Sequence, residues 1–145
     1  MLLAVLLFIL VSSLAASSLF VSQGTQARRE KEEQLLFVGD QFRKALLSYY
    51  NSIPPGGARA LPRSLDELLA DQRFPVPIQH LRRLYLDPMT GRADWRLLMA
   101  NGQILGVSST SEQSPIKSGG FSRPYEGFAR AKSYSDWIFR LDLPS

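Results

Sequence analysis

The chain of 145 residues contains no cysteine and a single histidine, His80. The first absence excludes a disulfide framework, a thiol nucleophile and any cysteine-based zinc site. An oxidising compartment is therefore allowed but not indicated. Charge is missing from one long stretch: no Asp, Glu, Lys or Arg precedes Arg28. None of the motifs HExxH, Walker A, GxGxxG or GxSxG occurs. Calcium needs several acids at short spacing, and the loop at 109–120 holds only Glu112 and also carries Lys117. The formal net charge of +4 is mild, and acids lie between the scattered Lys and Arg residues. That pattern reads as a solvated surface, not a nucleic-acid stripe.

What the chain does have is an apolar beginning. Residues 1–22, MLLAVLLFILVSSLAASSLFVS, exceed the roughly 18–20 residues that mark a membrane-spanning helix. As a helix they are about 33 Å long, enough for a hydrocarbon core. A secretory signal peptide would open with a basic n-region, which is missing, although Ser13-Leu14-Ala15 passes as a cleavage-like site. Arg28, Arg29 and Lys31 follow the run, and the positive-inside rule alone would leave the bulk of the chain in the cytoplasm. A basic leader removed from before Met1 would reverse that placement. Ser12, Ser13, Ala15, Ala16, Ser17 and Ser18 form a small-residue cluster that either packs helices closely or merely tolerates lipid. Ser22, Gly24 and Thr25 weaken helix propensity at the membrane exit.

From Arg28 to Asn51 the helical pattern is strong. Leu35, Val38, Phe42, Ala45 and Tyr49 recur at spacings of three and four, with Leu46 and Tyr50 beside them. This is the face that must pack on a head. Arg28–Glu32 and Arg29–Glu33 read as neighbour pairs on a solvated face. Ile53-Pro54-Pro55-Gly56-Gly57 ends the helix.

Ser64 and Glu67 fit a capping box opening a short helix that carries Asp66, Glu67 and Asp71 and stops before Phe74-Pro75-Val76-Pro77. A further helical turn is expected around residues 79–84, with Leu81 and Leu84 inward. Asp87-Pro88-Met89-Thr90-Gly91 is a turn. Asn101-Gly102 joins two strands as a hairpin, with Trp95, Leu97 and Met99 on one face of the first strand and Leu105 and Val107 on one face of the second. Residues 109–120 read as a long surface loop. Residues 136–141 read as a closing strand with Trp137, Phe139 and Leu141 on one face. The fold class is α+β: a long N-terminal helix, membrane-spanning in its first half, packed on a small antiparallel sheet. Residues 1–25 form the membrane and polymerisation helix; residues 26–145 form the head, including the second half of that helix.

No catalytic, cofactor or metal site is assigned, and the chain reads as a non-enzyme. His80 lies beside Arg82 and Arg83 with no acid near it in sequence, and reads as a surface or partly packed histidine. Tyr85, Trp95, Tyr125, Tyr134 and Trp137 are better explained as core than as a base-stacking platform.

The ordering of apolar half-helix, amphipathic half-helix and small sheet resembles the type IV pilin and pseudopilin architecture. The stretches REKEEQLLFVGDQFRKALLSYY, LPRSLDELLADQRFP, LRRLYLDPMTGRADWRLL, GQILGVSSTSEQSPIK and YSDWIF are similar to the G-type pseudopilin-like proteins of bacterial type II secretion. The resemblance covers nearly the whole chain beyond Arg29. It implies a single-pass inner-membrane subunit with a periplasmic C-terminal head that polymerises into a short filament. Its partners would be other pseudopilins, an inner-membrane secretion platform and a prepilin peptidase. Leu2, Leu3, Val5, Leu6, Phe8, Ile9 and Leu10 would then lie against neighbouring helices, and Met1 would be the processed and methylated residue. The family carries glutamate at the fifth mature position. Counted from Met1, Val5 stands there, which implies a minor or atypical subunit, and the family's acidic calcium loop is not recognisable.

Two other functions fit the pattern. A type IV minor or competence-type pilin binding a ligand such as DNA would need a basic patch, for which Arg82, Arg83, Lys117, Arg123, Arg130 and Lys132 are the candidates. The other is a membrane-tethered ligand-binding domain unrelated to filaments.

Overall fold

The helical periodicity produces one unbroken element, α1 (Leu2–Asn51), of 50 residues. The computed structural model describes residues 1–143, apart from the side chains of residues 14–22. At about 1.5 Å per residue α1 is some 75 Å long. It runs through Ser22, Gly24 and Thr25 without a break, so their low helix propensity does not interrupt it. It ends where expected. Ser52 turns extended, its N–H and Oγ both donating to the Ser48 carbonyl, and the two prolines that follow cannot continue the ladder.

The second half of α1 carries the head. Leu35, Val38, Phe42, Ala45, Leu46 and Tyr49 are all buried, as the stripe requires. Against them lies a three-stranded antiparallel sheet in the order β1 (Arg96–Ala100), β2 (Gln103–Ser108), β3 (Phe139–Arg140). Asn101 and Gly102 turn the β1–β2 hairpin with φ of 52° and 74°, the pair of positive angles that a tight two-residue turn demands. Trp95, Tyr125, Phe128, Tyr134, Trp137 and Phe139 complete the core, with Tyr85 partly buried against it. The five sequence-selected aromatics are packing residues.

Several local expectations are corrected. The hairpin register jumps from Leu98↔Gly106 to Met99↔Ile104, so Leu105 is an extra residue in a bulge. The inward pair on β2 is therefore Ile104 and Val107, both fully buried, and not Leu105 and Val107. Leu97 and Met99 share that face by register but stay half-exposed on the edge strand. The short helix α2 is only Asp66–Leu69, so Asp71 lies beyond it, and no side chain caps its start. Glu67 reaches past the capping position to accept from the Arg63 N–H at 3.1 Å and from the Tyr49 hydroxyl at 2.8 Å. A capping box does form elsewhere, at Ser133 and Asp136, opening the 3-10 turn Tyr134–Asp136. Residues 79–84 form no helical turn, only bends at 80–83, with Leu81 buried and Leu84 exposed. The closing strand shrinks to two residues because the 3-10 turn precedes it, yet Trp137, Phe139 and Leu141 keep their common inward face.

Candidate functional site

Two features stand out as places where the chain could act: the free end of α1 and a buried polar network at its other end.

The free end is apolar and uncovered. Leu2, Leu3, Val5, Leu6, Phe8, Ile9 and Leu10 lie between 57% and 81% exposed, and Leu7 and Val11 are equally bare. Met1 precedes the first helical residue and is fully exposed. The Ser12 and Ser13 hydroxyls fold back onto the helix, donating to the carbonyls of Phe8 and Leu10 at 2.8 and 2.9 Å. They therefore present little polarity outward. Ala15, Ala16, Ser17 and Ser18 of the small-residue cluster lie outside the described side chains. Among the described residues no helix is long and apolar enough to cross a membrane. Residues 14–22, the second half of the expected span, are outside what is described of its side chains. Nine large apolar side chains facing solvent between residues 2 and 11 of a single helix form an apolar patch far beyond scattered surface residues, and such a patch marks an interaction site.

At the opposite end, His80 takes the packed of its two expected placements, not the surface one. Its side chain is fully buried, with Nδ1 2.8 Å from Ser48 Oγ and Nε2 3.1 Å from Asp71 Oδ2. With the ring proton on Nε2 the imidazole donates to Asp71, and Nδ1 accepts from the Ser48 hydroxyl. The chain reversal closed by the Asp71–Ile78 bridge brings His80 back onto the acid nine residues upstream. Arg73 clamps the same carboxylate, donating from Nε to Oδ1 at 2.9 Å and from Nη2 to Oδ2 at 2.7 Å. Its guanidinium lies 3.7 Å from the centre of the Tyr49 ring, and Nη2 also donates to the Tyr49 carbonyl. Burial alone would raise the Asp71 pKa. The Arg73 and His80 hydrogen bonds override it and hold the carboxyl at about 2. Burial and the Glu67 carboxylate push the Tyr49 hydroxyl well above its ordinary range.

This Ser48–His80–Asp71 order resembles a nucleophilic relay, but Ser48 sits inside α1, where backbone N–H groups are taken up by the helix ladder. Among the described residues, the α1 N–H groups around its hydroxyl are committed to that ladder and do not form an oxyanion site. The network works as a latch. It ties residues 71–80 to the last turns of α1.

A second tie lies lower on the helix. Glu32 is 2% exposed, and its Oε1 accepts from the N–H of Ile116 at 2.6 Å, from that of Lys117 at 3.3 Å and from the Tyr134 hydroxyl at 2.8 Å. Burial and the Glu32 carboxylate push the Tyr134 hydroxyl up to about 12. The Arg28–Glu32 and Arg29–Glu33 pairs expected on a solvated face do not close to ion pairs among the described residues. Tyr125 makes a third tie, donating to Asp40 at 2.6 Å. The six basic candidates divide: Lys117 and Arg123 line a groove with Arg43 and Lys44, whereas Arg82, Arg83, Arg130 and Lys132 do not. Arg83 lies over the Tyr85 ring, and Arg123 lies 3.6 Å from Glu126. Among the described residues no group of His, Asp or Glu side chains could hold a metal ion.

Comparison of the chain with family models, curated proteins and solved structures returns no match.

Proposed function

We propose that the chain is a non-enzymatic, pilin-like filament subunit, a pseudopilin of type II protein secretion. In this reading residues 1–25 hold it in the bacterial inner membrane and draw it into the filament, and the head stands in the periplasm. One observation carries the proposal: an unbroken 50-residue helix is covered by a head over its second half and bare over its apolar beginning. Large apolar side chains left in water are costly, at about 25 cal/mol per Å², so that end must be covered by lipid, by neighbouring helices or by each in turn. Loss of a hydrophobic gradient between lipid and helix packing makes transfer from bilayer to bundle inexpensive, and small residues then favour close packing. Its partners would be other pseudopilins, an inner-membrane platform and a prepilin peptidase. Work is done by assembly, without bond chemistry.

The absence of native cysteine gives a clean test. Single cysteines placed in turn at residues 2–10 of the full chain, expressed in cells carrying a secretion system, are oxidised and the adducts identified by mass. The expected result is cross-linking to a second copy or to a companion pilin-like subunit, with a helical period along the scan. Membrane-located protein with no adduct at any position would sink the proposal.

A further inference from the structure

Between the apolar end and the latch, where the head first meets α1, lies a small cavity of about 170 Å³. It is walled by Gly24, Ala27, Arg28 and Lys31 on the helix, with Met89 and Gln113 opposite. The helical residues follow the spacing i, i+3, i+4, i+7, so one face of α1 supplies them all. Two of the six are cations, and none is an acid. Arg28 Nε is buried without a hydrogen-bond partner, and no carboxylate lies within ion-pair distance of Arg28 or Lys31 among the described residues. None of the adjacent acids lines this cavity. Glu32 accepts from Ile116, Lys117 and Tyr134, Glu30 accepts from Gln26, and Glu33 lines a different groove.

We propose that this cavity is a binding site for a phosphate-type oxyanion, held by Arg28 and Lys31. Arg28 also acts on the Tyr134 hydroxyl that donates to Glu32, but neither cation of the lining forms an ion pair among the described residues. A guanidinium and an ammonium on one helix face match a tetrahedral oxyanion, the guanidinium by directional donors and the ammonium as a point charge. The space is ample for a phosphate group together with solvating water. Gly24 stands just past the apolar run, where lipid headgroups lie if residues 1–22 occupy a bilayer. Two sources of the same chemistry therefore compete: a lipid phosphodiester and free phosphate. Assignment to a lipid rests on the membrane placement proposed above, whereas the oxyanion chemistry does not.

The test uses the full chain and reads thermal unfolding of the head by near-ultraviolet circular dichroism. In non-ionic maltoside micelles, inorganic phosphate titrated against chloride of equal ionic strength should raise the melting temperature by about 5–10 °C, rising with the logarithm of phosphate concentration once the dissociation constant is passed. Lys31→Gln, a change at an exposed side chain, should abolish the rise while leaving the phosphate-free melting temperature unchanged; Arg28→Gln should abolish it as well. The chain in nanodiscs with a third phosphatidylglycerol is then compared with phosphatidylcholine discs. A head already stabilised in the anionic discs and no longer responsive to phosphate supports the site with a lipid occupant. An undiminished response to phosphate there supports the site with a free-ion occupant. No phosphate-specific shift in micelles, or an equal shift in Lys31→Gln, overturns it. Failure of the cysteine scan with the phosphate response intact would remove the filament reading alone.

Discussion

Gly39→Ala is a substitution whose sign separates two physical effects. Gly39 lies inside α1 on the buried stripe, four residues after Leu35 and three before Phe42. A methyl group there would fall inside the van der Waals envelope of the Phe139 ring, far closer than the roughly 3.5–4.0 Å optimum for carbon contacts. The ring cannot retreat. Phe139 is fully buried, with Tyr125 and Phe128 rings packed edge-on at 5.4 and 5.2 Å. Overpacking of this kind costs up to about 3 kcal/mol, and replacing a mid-helix glycine by alanine returns about 1 kcal/mol of helix propensity. The net destabilisation is about 2 kcal/mol, which at roughly 4 °C per kcal/mol lowers the melting temperature of the head by about 8 °C. Thermal unfolding of the full chain in micelles measures it, and the double variant Gly39→Ala/Phe139→Leu should recover most of the loss. An unchanged or higher melting temperature for Gly39→Ala would show that propensity alone governs the site, and the close approach of helix and sheet would be refuted.

Three further outcomes follow from the polar ties and the hairpin. Asp71 has a folded pKa of about 2 against 3.8 for the free side chain, so its contribution is fully present above about pH 4 and is lost as pH falls through 2. Asp71→Asn should therefore lower stability near neutrality by about 2 kcal/mol and flatten the pH dependence of the unfolding midpoint between pH 4 and 2, as acid titrations of both proteins would show. Glu32→Ala leaves two backbone N–H groups and the Tyr134 hydroxyl without their acceptor, a loss on the order of 2–3 kcal/mol. Hydrogen exchange at Ile116 and Lys117 should accelerate more than at Ile104 and Val107. Gly102→Ala forces a side chain into a φ of 74° and should cost about 1 kcal/mol in thermal unfolding.

The long-range frame of the molecule was legible because it is written in periodicity. A three-and-four spacing from Leu35 to Tyr49 and an Asn-Gly turn between alternating strands each define an element without reference to the rest of the chain. The bulge at Leu105 was not legible, because a slip of one residue leaves an apolar sequence looking equally regular in either phase. The pairing of His80 with an acid was not legible for a different reason. Its acid is supplied by a chain reversal closed by a two-residue bridge, and nothing local marks that distance as short. Glu32 did carry a signal. It lies three residues before Leu35, on the apolar stripe itself, and a carboxylate at a stripe position calls for buried donors. Gly39 falls on the same stripe, and a glycine there points to a close neighbour. The apolar end was legible as a surface needing cover, while the choice of cover belongs to molecules other than this chain.

Because α1 is continuous and the head is tied to it at Glu32, Asp40 and Ser48, the helix acts as a shaft with the head keyed to it. Whatever grips the apolar end also sets the compass bearing of the head. One residue inserted at Gln23 would turn the head by about 100° and lift it by about 1.5 Å, whereas four would bring it back to within about 40° of its starting bearing. The facing of each head toward its neighbours is thus encoded as the phase of a single helix.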